Sequence, residues 1–103
     1  MKVSVLGLGY VGFPLLCALA KKTNHQLVGF ELSEDKVNKI KNNISPVDDE
    51  QAEKDIKELT LDVSTDDSII NGSDIYIVCV PTPVHDGFTP DLGPVKSAIK
   101  IIF

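Results

Sequence analysis

The chain has no tryptophan, one methionine, two cysteines and only ten basic residues among 103. Two cysteines are too few for the disulfide framework that staples small secreted domains. Cys17 falls in a helical run and Cys79 in an apolar strand, so both read as small buried hydrophobes in a reducing compartment. Ten basic residues against fifteen acidic ones give a net charge of −5, which leaves no positive stripe for DNA or for an anionic membrane surface. No apolar run approaches the roughly 20 residues a membrane span needs, and glycines interrupt the apolar start at Val3 too early for a signal peptide. The histidines, His25 and His85, read as loop residues, and no His, Cys or carboxylate cluster has metal-ligand spacing. What remains is a cytoplasmic α/β domain with one core, 43% hydrophobic and 24% charged, that takes neither nucleic acid nor a membrane as partner.

Against this plain background the first thirty-one residues stand out. Lys2-Val-Ser-Val-Leu6 reads as a strand, Gly7-Leu-Gly9-Tyr-Val-Gly12 as a turn entering a helix, and Gln26-Leu-Val-Gly-Phe-Glu31 as a second strand ending in an acid. Each glycine has a physical role in a dinucleotide-binding turn. Gly7 makes the tight exit from the strand, Gly9 lets the backbone approach a pyrophosphate, and Gly12 lets the helix pack closely on the strand. The pyrophosphate then rests on a helix N-terminus, where unpaired N–H groups and the positive end of the macrodipole hold negative charge. Glu31 follows Gly12 by 19 residues, close to the spacing of about 20 at which an acid meets the adenosine ribose. A carboxylate there accepts from the ribose hydroxyls and repels a 2′-phosphate, so NAD is favoured over NADP. Glycines alone also fit a tight strand-to-helix connection; the flanking strands and the acid point to the dinucleotide.

Strand and helix patterns alternate along the rest of the chain, which predicts a doubly wound parallel sheet of Rossmann-like type. A first helix is predicted over Tyr10 to Lys22, with Pro14 tolerated in its first turn because early N–H groups lack intrahelical partners. A second begins after Ser33 as cap, carries Val37, Ile40 and Ile44 at spacings of three and four, and ends near Asn42-Asn43. Asp48 to Leu59 reads as a charged helix whose acids favour the dipole, followed by a strand at Leu61 to Ser64. A short helical turn over Asp66 to Ile70 and a turn at Asn71-Gly72-Ser73 precede Asp74 to Val80. That last run is almost wholly apolar, which predicts a central strand buried on both faces. The final Ile99, Ile101, Ile102 and Phe103 stop without a helix cap, the pattern of a front portion of a larger protein cut within or just after a helix.

A second candidate site is Val80-Pro81-Thr82-Pro83 at the exit of the fourth strand. In doubly wound sheets the ligand lies beyond the carboxyl ends of the strands, at the point where strand order reverses. The prolines fix the loop and leave Thr82 as a positioned hydroxyl near the middle of the cofactor or its nicotinamide end; a rigid exit with a solvent-facing Thr is the plain alternative.

Gly-Leu-Gly-Tyr-Val-Gly-Phe-Pro at 7 to 14, Gly-Phe-Glu at 29 to 31, Cys-Val-Pro-Thr-Pro at 79 to 83 and Pro-Asp-Leu at 90 to 92 together resemble the UDP-glucose/GDP-mannose dehydrogenase family across essentially the whole chain. The resemblance implies a cytosolic, homo-oligomeric enzyme that oxidises C6 of a nucleotide sugar from alcohol to acid with two NAD. It further implies that Gly7, Gly9 and Gly12 hold the pyrophosphate with the backbone of Tyr10 and Val11, that Glu31 and Lys36 lie at the adenosine ribose, and that Val80, Pro81 and Thr82 contact the cofactor. Glu31 stands where the family more usually has Asp. The family's nucleophilic cysteine, its lysine and its sugar contacts lie beyond residue 103, so no catalytic residue is assigned here. Cys17 and Cys79 lack the base and access a nucleophilic thiol needs. The loop after Pro83 and the Ser45-Pro-Val-Asp-Asp segment resemble the branch acting on UDP-N-acetylhexosamines for surface polysaccharide more than the UDP-glucose branch. A non-enzymatic NAD-sensing module shares the same fold. A methyltransferase-like domain also joins a glycine loop to an acid, though its cofactor has no pyrophosphate to explain three close glycines.

Overall fold

The computed structural model describes residues 1–80, 96 and 100–102. Four parallel strands, β1 (Lys2–Leu6), β2 (Gln26–Phe30), β3 (Asp62–Ser64) and β4 (Ile75–Val78), form a sheet in the order β3-β2-β1-β4. Strand order therefore reverses beside β1, as expected. Three helices connect them: α1 (Gly12–Lys22), α2 (Glu34–Lys41) and α3 (Glu50–Glu58), with a 3₁₀ turn at Asp67–Ile70.

Alternation along β1 sends Val5 to one face of the sheet and Leu6 to the other. On the first face Val5 joins Phe13, Leu16 and Cys17 of α1, Val37 and Ile40 of α2, and Ala52 and Ile56 of α3 in one buried cluster. Fully burying each of the larger of these side chains contributes about 1.5–3 kcal/mol. On the second face Leu6, Phe30 and Ile70 are buried together, and Ile101 and Ile102, both helical, pack onto them. The terminal isoleucines, which read as an unfinished apolar end, thus cover the sheet.

Local chemistry explains the helix ends. Ser33 Oγ accepts from Lys36 N, Asp49 Oδ1 from Ala52 N at 2.9 Å, and Asp66 Oδ1 from Ser68 N at 2.9 Å. Each side chain satisfies a donor that the helical pattern leaves free. α2 stops because Asn43 takes a left-handed conformation (φ 59), letting Asn43 N donate to Ile40 O and Ile44 N to Lys39 O, the paired bonds of a Schellman ending. Ile44 is consequently outside the helix and exposed, contrary to its place in the helical spacing. Between α1 and α3, Lys21 Nζ and Gln51 Nε2 both donate to Asp55 Oδ1 at 2.9 Å, and these bonds hold the Asp55 carboxyl below the usual range.

β4 departs from its sequence reading. Among the described residues it pairs only with β1, and Ile75 and Val78 are 43% and 37% exposed. An apolar run reports residues suited to burial, whereas the number of neighbouring strands is set by topology. Among the described residues no helix is long and apolar enough to cross a membrane, and no group of three His, Cys, Asp or Glu is placed to hold a metal ion.

Candidate functional site

The glycine turn lies between β1 and α1, at the carboxyl end of the sheet and beside the exit of β4. Its three glycines are not equivalent. Gly7 adopts φ +98, and a Cβ there would lie 2.8 Å from the Cys79 carbonyl. At Gly12 a Cβ would meet Gly7 O at 1.7 Å, so only hydrogen fits where the helix closes on the turn. Among the described residues nothing lies within 4 Å of a Cβ position at Gly9. The protein's own packing thus demands glycine at 7 and 12, while the space over Gly9 is open, as a group approaching the backbone requires.

The start of α1 is equally distinctive. Among the described residues Phe13 N donates to Gly9 O and Leu15 N to Val11 O, but no acceptor meets the amides of Tyr10, Val11 or Gly12. Val11 occupies the cap position without a side-chain bond, and the first turn carries no acid. The helix begins at Gly12, two residues later than the sequence pattern suggests, because Tyr10 and Val11 belong to the turn. Their side chains are 69% and 70% exposed, leaving their backbone as the surface of the cradle. Together the open space and unpartnered donors fit a pyrophosphate.

Glu31 follows β2 directly, and its main chain is fixed by Glu31 N donating to Ser64 O at 3.1 Å. Its carboxylate faces the glycine turn. Oε1 accepts from Leu8 N and Oε2 from Ser33 N, both at 2.9 Å, and Lys36 Nζ stands 3.9 Å from Oε1. The structure thus brings Glu31, Lys36 and the glycine turn together. It also adds a residue the sequence reading passed over: Leu32, 72% exposed between the acid and the Ser33 cap. A large apolar side chain in the turn from β2 to α2 was the available signal.

Val80 is half-buried against the second core cluster, and Cys79 N donates to Leu6 O at 2.7 Å, tying the β4 exit to the end of β1. Pro81 and Thr82 lie outside the described residues, as does His85. Cys17 and Cys79 are free thiols. Burial, with the Asp55 charge adding to it, pushes Cys17 up to about 11, and burial also raises Cys79. Neither has the depressed pKa of a nucleophilic thiol.

A parallel sheet reversing beside β1, an open glycine turn, an uncapped helix and an acid after β2 define a Rossmann-type dinucleotide-binding domain. Comparison with known proteins narrows the class. The NAD binding domain model of the UDP-glucose/GDP-mannose dehydrogenase family matches residues 1–103, and the chain belongs to that family. It is 35% identical over 104 residues to UDP-N-acetyl-D-glucosamine 6-dehydrogenase of Pseudomonas aeruginosa, covering 99% of this chain and 24% of that protein. It is likewise 35% identical over 105 residues to UDP-glucose 6-dehydrogenase of Streptococcus pneumoniae, with 97% and 26% covered. Among solved structures, a ternary complex of GDP-mannose dehydrogenase from P. aeruginosa superposes with a TM-score of 0.90 at 28% identity, covering 99% of this chain and 24% of that one. The chain spans about a quarter of the length of the curated relatives it matches. As a member of this domain family, it takes NAD as its cofactor.

Proposed function

We propose that these 103 residues are the cofactor-binding portion of a cytoplasmic, homo-oligomeric nucleotide-sugar 6-dehydrogenase. The protein oxidises the C6 alcohol of a UDP-sugar to the uronic acid for surface polysaccharide, with NAD accepting hydride. The named relatives support both UDP-N-acetylhexosamine and UDP-glucose, and the Ser45-Pro-Val-Asp-Asp segment favours the former. The sugar is bound, and its chemistry carried out, by parts of the protein outside these residues. In this reading the amides of Tyr10, Val11 and Gly12 hold the pyrophosphate over Gly9, while Gly7 and Gly12 give the turn its shape. Glu31 accepts from the adenosine ribose with Lys36 beside it, and Leu32 supplies an apolar surface for the adenine. Val80, Pro81 and Thr82 serve the nicotinamide side.

The observation that carries this reading is the open, uncapped α1 N-terminus directly beside a fixed carboxylate. Calorimetric titration of the protein with NAD and NADP at identical salt tests it. Binding of NAD at least about tenfold tighter than NADP is expected, a difference of about 1.4 kcal/mol. Equal affinities, or no binding by a folded protein, would overturn the ribose assignment or the site itself. Turnover of UDP-N-acetylglucosamine and UDP-glucose by the full-length protein then identifies the sugar.

A further inference from the structure

A glutamate is an awkward residue with which to exclude a 2′-phosphate. Its side chain has one more rotatable bond than aspartate, and a free one can swing its charge into solvent and admit the phosphate. Here that freedom is removed before any ligand arrives. The backbone of Glu31 is held by the Ser64 carbonyl, and the preceding Phe30 carbonyl accepts from Gly7 N at 2.9 Å. From that fixed base the side chain crosses to the glycine turn, where its two oxygens accept separately from Leu8 N and Ser33 N, and it is only 12% exposed. Leu8 is fully buried among Val5, Phe13 and their neighbours, so its peptide is anchored by side chain and amide together. Leu8 also lies between Gly7 and Gly9; the direction of its N–H sets how the following amides of the turn face outward.

We propose that Glu31 is a positioning residue for the pyrophosphate cradle as well as a ribose acceptor: by clamping the Leu8 and Ser33 amides it presets the glycine turn and locks its own charge against a 2′-phosphate. The inference rests on the NAD-binding reading and deepens it. A carboxylate offers about four acceptor positions, so the two amides leave capacity for ribose hydroxyls without release of the clamp. Glutamine cannot reproduce this arrangement. Its single carbonyl oxygen satisfies one amide, and its NH₂ group presents a donor to the other.

The role is separable from ribose contact with a cofactor analogue, NAD lacking the adenosine 2′- and 3′-hydroxyls. If Glu31 acts through the ribose alone, E31Q leaves the affinity for this analogue unchanged. If it presets the turn, E31Q weakens the analogue by about tenfold or more, in keeping with loss of one charge-assisted hydrogen bond, and weakens NAD further. Amide exchange followed by NMR without ligand gives a second readout: Leu8 or Ser33 N–H exchanges faster in E31Q, while the core amide of Val5 keeps its protection. Unchanged analogue affinity in E31Q would overturn the positioning role, and unchanged exchange at both amides would overturn the clamp. E31D, one methylene shorter by about 1.5 Å, keeps the charge but cannot span both amides, and is expected to fall between the parent and E31Q. Failure of the folded parent to bind NAD would overturn the cofactor reading and with it the positioning role, whereas protection of the Leu8 amide would still report the clamp.

Discussion

The N-termini of α1 and α3 present opposite solutions to the same problem. Both helices begin with backbone donors that the helical pattern leaves free. At α3 the chain answers the need itself: Asp49 caps the Ala52 amide, and Glu50 and Glu53 place negative charge in the first turn. At α1 there is no side-chain cap and no acid in the first turn, and among the described residues nothing crowds the approach over Gly9. The difference separates a helix start closed by its own side chains from one whose first amides have no partner among the described residues, even though both lie in the same small domain.

Substitutions that exchange these solutions test the contrast. The largest effect is expected at Gly12, where a methyl would overlap the Gly7 carbonyl. Gly12→Ala should cost about 3 kcal/mol or more, in the upper range of overpacking effects, and chemical denaturation should show a folded state largely lost. Next comes Val11→Asp, which gives α1 the acid that α3 already has. At this exposed position the acid leaves stability unchanged or slightly raised through the helix dipole, while NAD binding falls by at least about tenfold through repulsion of the pyrophosphate, as titration would register. A variant that bound NAD as tightly as the parent would remove α1 from the site. The smallest change is the converse: Asp49→Ala should lower stability by about 1 kcal/mol through loss of its cap and leave NAD affinity intact. A matching loss of affinity would show that the two helix starts are not independent.

Much of this contrast was legible in the residues. Ser33 ahead of an apolar pattern announced α2, the acids from Asp48 onward announced a charged helix without singling out Asp49 as its cap, and three glycines followed at fixed spacing by Glu31 announced the turn and its acid. Other features depended on contacts that no local pattern encodes. The partners of Glu31 are peptide amides 23 residues before it and two after it, set by how β2 lies against β1. Ile44 fits a helical spacing, yet a left-handed Asn43 ends the helix first. The apolar run of β4 correctly marked a strand in a parallel sheet, but apolarity gave no information about how many strands pair with it. Leu32 was hidden by its setting, since a single exposed leucine in a turn carries meaning only once the acid beside it is seen to face the glycines.

The close approach of Gly7 to the Cys79 carbonyl has a mechanical consequence. There is no clearance between the glycine turn and Cys79 at the end of β4, and the bond from Cys79 N to Leu6 O ties the same two backbones from the strand side. Gly7 and Cys79 are packed so closely that neither backbone can shift toward the other. A side chain added at residue 7 would therefore act as a wedge, prising the glycine turn and the end of β4 apart from within.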